Sequence, residues 1–111
     1  MGRTNDALGI LLKARDIRPS ALSIRRNLAK LYVRLGEIDN AITETRAALS
    51  IMPESQGDRY NLAVLFMEKG LFAEAESELE AVLSANPDDE QAKKAIKRLK
   101  GLMGDKGAIR P

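Results

Sequence analysis

Apolar residues recur along this chain at intervals of three and four positions, which is the period of an amphipathic α-helix. Leu28, Leu31 and Tyr32 form one such group, and Leu62 and Leu65 belong to a second. Few β-branched and aromatic residues stand in alternating runs, so the pattern does not predict strands. It predicts an all-α chain of six helices, at residues 4–18, 21–35, 39–51, 55–69, 73–85 and 89–103.

The sequence also matches itself when residues 22–55 are laid over residues 56–89, and these two segments share 12 identical positions. Each unit places a glycine between two helical segments, where a positive φ is needed, and a proline at its end, where the helix must stop. Each unit is therefore predicted to be a helix–turn–helix pair. Residues 1–19 align with the second half of a unit, so we expect a fragment of a longer array. The matched positions include Ala29 and Ala63, Gly36 and Gly70, Ala41 and Ala75, Glu44 and Glu78, and Pro53 and Pro87.

The chain resembles the tetratricopeptide repeat (TPR) in residues 27–32 and again in residues 61–66. Each of these segments is followed by a glycine, small residues and a proline at the spacing of that repeat. The resemblance covers residues 2–87 and implies a right-handed superhelical stack of antiparallel helix pairs. Arg25 and Arg59 stand in place of the family's early tryptophan. The resemblance divides the chain into the second helix of a preceding repeat (1–21), a first full repeat (22–55), a second full repeat (56–87), a capping helix (88–104) and a disordered tail (105–111).

Composition narrows the possible chemistry. The chain contains no cysteine and no histidine, and its formal net charge is +2, so disulfides and thiolate or imidazole metal sites are excluded. The glutamates at 74, 76, 78 and 80 alternate around a helix and are expected to be a solvated face. We therefore predict no enzyme activity, no catalytic residue, no metal site and no cofactor. No segment is predicted to insert into a membrane. The compartment is unknown. The cytoplasm is expected, and the periplasm is an alternative for a longer parent protein.

The resemblance implies that the first helices of the repeats line a concave groove, which binds a peptide or a helix of a partner protein. Asn27 and Asn61 occupy matching positions, and an amide can pair with any peptide backbone. The basic residues favour an acidic segment or a free carboxylate as the ligand. Val33, Glu68 and Gln91 are expected on the same surface. The predicted peptide-binding residues are Arg26, Asn27, Lys30, Arg34, Tyr60, Asn61, Val64, Met67, Lys94 and Arg98.

The family's carboxylate clamp for chaperone C-termini fits this sequence poorly. Arg26 and Asn61 agree with its pattern, whereas Lys30, Gln91 and Ala95 depart from it. Self-association is the alternative function. The chain could form a homo-oligomer through its N-terminal helix, where Leu8, Ile10, Leu11 and Leu12 cluster. Nucleic-acid binding is not expected, because the basic last helix carries no aromatic side chain on which bases could stack.

Overall fold

The computed structural model describes residues 2–108, and this part of the chain forms six α-helices without a strand. The all-α, TPR-like fold class predicted from the sequence is confirmed. Each predicted helix boundary lies close to the observed one, except at the end of the last helix. The helices are α1 (Gly2–Ile17), α2 (Leu22–Arg34), α3 (Ile38–Ile51), α4 (Gln56–Glu68), α5 (Phe72–Ala85) and α6 (Glu90–Ala108).

The last helix is longer than predicted. The capping helix was expected to end at residue 104 and to be followed by a disordered tail, but residues 105–108 continue α6. Gly101 and Gly104 lie inside this helix. A glycine costs about 1 kcal/mol relative to alanine in a helix interior, but it keeps its backbone donor and can adopt helical angles. The rest of the predicted tail, residues 109–111, lies outside the described residues.

The two glycine turns are the same in both repeats. Gly36 and Gly70 each have φ of 75°. The Glu37 N–H donates to the carbonyl of Tyr32 at 2.8 Å, and the Leu71 N–H donates to the carbonyl of Phe66 at 2.8 Å. These bonds, with glycine in the left-handed conformation, form the Schellman arrangement that satisfies carbonyls at a helix end. The predicted turn positions are therefore confirmed.

The chain divides into two compact units, and the boundary falls inside α4, between Asp58 and Arg59. In the first unit, α2 packs against both α1 and α3. In the second unit, α5 packs against α6. Ala41, Ala63 and Ala75 have no exposed surface, as expected for small side chains between closely packed helices. The buried apolar core also contains Leu28, Leu31, Tyr32, Ile42, Ala48, Leu62, Leu65, Phe66, Leu79, Val82, Ala92 and Leu99.

A second repeated feature is an ion pair between the two helices of each repeat. Arg25 donates to the carboxylate of Glu44 at 2.9 Å, and at the matching positions of the next repeat Arg59 donates to Glu78 at 3.0 Å. Glu44 also accepts a hydrogen bond from Arg15 of α1 at 2.7 Å. The arginines that replace the family's early tryptophan therefore contribute an ion pair. The expectation that Glu78 belongs to a solvated face is wrong, because its side chain is only 22% exposed.

Candidate partner-binding groove

An open cavity of about 560 Å³ lies between α4 and α6 in the second unit. Five of the ten predicted binding residues line it, namely Tyr60, Val64, Met67, Lys94 and Arg98. We call this surface the α4–α6 groove. Its remaining lining residues are Glu68, Gln91, Ala95 and Leu102.

Helical periodicity explains why these residues share one surface. In α4, the lining residues lie four, seven and eight positions after Tyr60, so they form a single stripe along the helix. The neighbouring residues Leu62, Leu65 and Phe66 are buried on the other side of α4. In α6, lining residues spaced three and four apart likewise form one stripe, while Ala92 is buried. Two short connections reverse the chain between α4 and α6, so these two helices run in the same direction.

The groove combines partly exposed apolar side chains with charged ones. Tyr60, Val64 and Met67 are half-buried, and Leu102 remains 39% exposed. An aromatic ring, a branched aliphatic chain and a flexible thioether can together cover an apolar side chain of a ligand. The apolar part of the groove therefore has surface to bury when a ligand binds.

The charged side chains of the groove are available to a ligand. Lys94, Arg98 and Glu68 are all exposed. Among the side chains that the structure describes, none pairs with any of these three charges. The positive charges predicted on α6 are therefore uncompensated in the structure, and so is the carboxylate of Glu68.

Arg26, by contrast, is an ion-paired residue. Its guanidinium donates three hydrogen bonds to Asp58, at 3.0, 3.0 and 2.6 Å, and a fourth to the hydroxyl of Ser55 at 3.2 Å. The hydrogen bond to Asp58 raises the pKa of Arg26, against the opposing effect of burial. Ser55 also accepts the backbone N–H of Asp58 at 3.2 Å. Arg26 thus links α2 to the start of α4 and does not present a free positive charge.

The other predicted residues are exposed but do not line the α4–α6 groove. Asn27, Lys30 and Arg34 lie on the exposed side of α2, and Asn61 is exposed on α4. Their predicted contacts with a peptide stay predictions.

Two lining residues were not predicted to bind a ligand. These residues are Leu102 and Ala95, and Ala95 entered the sequence analysis as a departure from the carboxylate clamp. A signal for both was present in the sequence, because they follow Glu68 and Asn61 by one full repeat. Applying the repeat to the last helix would have placed them on the same surface as α4.

The described part of the chain contains no group of three or more acidic, histidine or cysteine residues arranged to hold a metal ion. No helix within residues 2–108 is both long enough and apolar enough to cross a bilayer.

A family model, described as tetratricopeptide repeat, matches residues 39–99, which is more than half of the chain. The chain therefore belongs to the tetratricopeptide repeat family, as its repeat spacing indicated. A search of curated proteins found no match.

Solved structures show the same fold. A tetratricopeptide repeat protein from Parabacteroides merdae is 25% identical, with a TM-score of 0.86 over 94% of this chain and 41% of its own. The TPR domain of P58(IPK) is 20% identical, with a TM-score of 0.87 over 93% of this chain and 29% of its own. The first TPR of Spaghetti (RPAP3), bound to the HSP90 peptide SRMEEVD, is 18% identical, with a TM-score of 0.81 over 93% of this chain and 82% of its own. This chain spans less than half the length of the first two structures.

Proposed function

We propose that this chain is a protein-interaction module that binds a short acidic segment of a partner protein in the α4–α6 groove. The observation that carries the proposal is the placement of half-buried apolar side chains beside two uncompensated cations, Lys94 and Arg98, around one open cavity. A groove of this composition suits a polypeptide ligand, which brings apolar side chains, charges and backbone groups together.

The apolar and charged groups have different roles in this proposal. Burial of Tyr60, Val64 and Met67 against a ligand supplies most of the favourable free energy, since apolar surface is removed from water. Lys94 and Arg98 select acidic ligands and speed their association, because complementary charge contributes more to specificity and rate than to affinity. Asn61, which is exposed on α4 beside the groove-lining stripe, is a further candidate for contact with a ligand backbone.

The proposed ligand is an internal acidic segment and not a clamped C-terminus. Arg26 is one of only two residues that fit the carboxylate-clamp pattern, and its charge is compensated by Asp58. Gln91 and Ala95, which replace basic residues of that pattern, line the groove. The complex of the first RPAP3 TPR with an HSP90 peptide supports peptide binding by this fold, but the side chains here favour a different mode of charge recognition.

Binding, not catalysis, is the function that these side chains favour. The groove is lined by carboxylate, amide, amine, guanidinium and phenol groups, without a nucleophile paired to a base. The charges are exposed to solvent, whereas electrostatic catalysis relies on charged groups held in a site from which water is excluded.

A pair of charge-reversal variants tests the proposal. Peptides rich in acidic and apolar residues would be selected from a library and their Kd measured by fluorescence anisotropy. Lys94→Glu with Arg98→Glu should weaken binding at least about tenfold, because two attractive charges become repulsive. Raising the salt concentration on the unmodified protein should reduce affinity in the same direction.

The matched control is Lys97→Glu with Lys100→Glu, which makes the same change in net charge on exposed positions of α6 outside the groove. This variant should bind nearly as the unmodified protein does. Equal losses in the two double variants would show that only net charge matters. Peptides that bind with no loss in either variant would place the binding surface elsewhere.

Self-association is a second candidate function, and one observation favours it. Ile10 and Ile17 lie two helical turns apart on α1 and are 68% and 78% exposed, so both fall on one side of the helix. Two copies of the chain could bury these side chains against each other. Sedimentation equilibrium should then show a dimer that Ile10→Glu with Ile17→Glu dissociates. A monomer at all concentrations would leave the groove as the better account.

A further inference from the structure

We propose that Glu68 makes the α4–α6 groove selective for a dipolar segment, with acidic residues at one end, apolar residues in the middle and a basic residue at the other end. This inference rests on the proposed function, because it concerns the ligand of the same groove. It goes beyond attraction of an acidic ligand, since a uniformly acidic segment should be disfavoured.

The order of charges along the groove follows from the helix register. Lys94, Arg98 and Leu102 of α6 follow Tyr60, Val64 and Glu68 of α4 by one full repeat, and the two helices run in the same direction. Lys94 therefore lies toward the N-terminal end of the groove, and Arg98 lies one helical turn further along, at the level of Val64. The carboxylate of Glu68 lies toward the C-terminal end, at the level of Leu102.

The length of the groove sets the spacing that a ligand needs. Lys94 and Leu102 lie eight positions apart, which corresponds to about 12 Å along a helix at about 1.5 Å per residue. An extended chain covers this distance in about four residues. A matching ligand therefore has about three apolar residues between its acidic and basic ends, where they contact Val64 and Met67.

Glu68 is exposed and makes no ion pair within the described residues, so its charge acts directly on a bound segment. A ligand carboxylate at this end of the groove would meet a like charge, and a lysine or arginine would meet an opposite one. The fold does not require a carboxylate at this position, because the matching residue of the first repeat is Arg34, also exposed. The sign of the charge here is therefore a property of the groove and not of the repeat.

Two pools of heptapeptides, blocked at both termini, test this inference on the full chain. Both pools begin with Asp-Glu and continue with three positions varied among Ala, Val, Leu, Met and Phe. The dipolar pool ends with Lys-Lys and the diacidic pool ends with Glu-Glu. The unmodified protein should bind the dipolar pool about tenfold more tightly, although that pool carries less negative charge.

Glu68→Lys should reverse the preference, so that the diacidic pool binds more tightly. Glu80→Lys is the matched control, because Glu80 is exposed on α5, outside the groove, and this variant should keep the original preference. If the unmodified protein prefers the diacidic pool, or if both Lys variants shift the preference equally, the inference fails while peptide binding in the groove stands. If neither pool binds, the proposed function fails and the inference fails with it.

Discussion

The two full repeats share their framework but differ on the exposed sides of their first helices. The Arg25–Glu44 and Arg59–Glu78 pairs occupy matching positions, and so do the two glycine turns. In contrast, Arg26, Lys30 and Arg34 of α2 correspond to Tyr60, Val64 and Glu68 of α4. The ion pairs and turns that hold each helix pair together are thus repeated within the chain, while the exposed positions of the first helices differ, apart from the matching Asn27 and Asn61. The exposed side chains of the first helices are therefore the positions at which the two repeats can differ in function.

The interiors of the two repeats also differ at two adjacent positions. Thr45 is buried, and its hydroxyl donates to the carbonyl of Ala41 at 2.8 Å, whereas the matching Leu79 is fully buried and apolar. Glu44 has a 3% exposed side chain held by two arginines, while Glu78 is 22% exposed and bonds to Arg59. The first repeat therefore depends more on buried polar groups, and the second depends more on apolar packing.

The largest expected effect on stability is at Leu79, the apolar residue that matches Thr45. Leu79→Ala should lower the free energy of unfolding by about 3 kcal/mol, because it removes buried apolar surface and leaves a cavity. Thr45→Ala should cost only about 1 kcal/mol, the typical net contribution of one hydrogen bond, since it removes little volume. Urea unfolding followed by circular dichroism measures both. Equal losses would show that the two interiors are equivalent after all.

A somewhat smaller effect is expected at the two ion-paired carboxylates, Glu44 and Glu78. Glu44→Ala leaves Arg15 and Arg25 facing each other without their shared partner, and it should lower the free energy of unfolding by about 2–3 kcal/mol. Glu78→Ala removes a more exposed pair and should cost about 1 kcal/mol. The same unfolding measurement compares them. A larger loss for Glu78→Ala would contradict the view that the first repeat relies more on its ion pairs.

The helices and the glycine turns could be predicted from the sequence because they follow from local periodicity. Helix bounds and turns depend on residues within a few positions, and the internal repeat doubled that evidence. The partners of Arg26 and Glu44 could not be predicted, because Asp58 and Arg15 lie 32 and 29 residues away along the chain. Those contacts depend on how helices pack against each other. The predicted binding residues of α4 and α6, except Asn61, line one groove because both helices follow the same repeat.

The smallest predicted effect concerns a feature that should be equal in the two repeats. A Cβ added at Gly36 or Gly70 would meet no atom within 4 Å, but both residues have φ of 75°. Gly36→Ala and Gly70→Ala should therefore each lower the free energy of unfolding by about 1 kcal/mol, through backbone strain and not through a clash.

Gly101→Ala is the control, because this glycine lies inside α6 with open space around it, and alanine there should stabilise the chain by about 0.5–1 kcal/mol. Thermal unfolding of the three variants distinguishes these signs. Unequal effects at Gly36 and Gly70 would show that the two turns differ in strain, which would extend the asymmetry of the repeats to their framework.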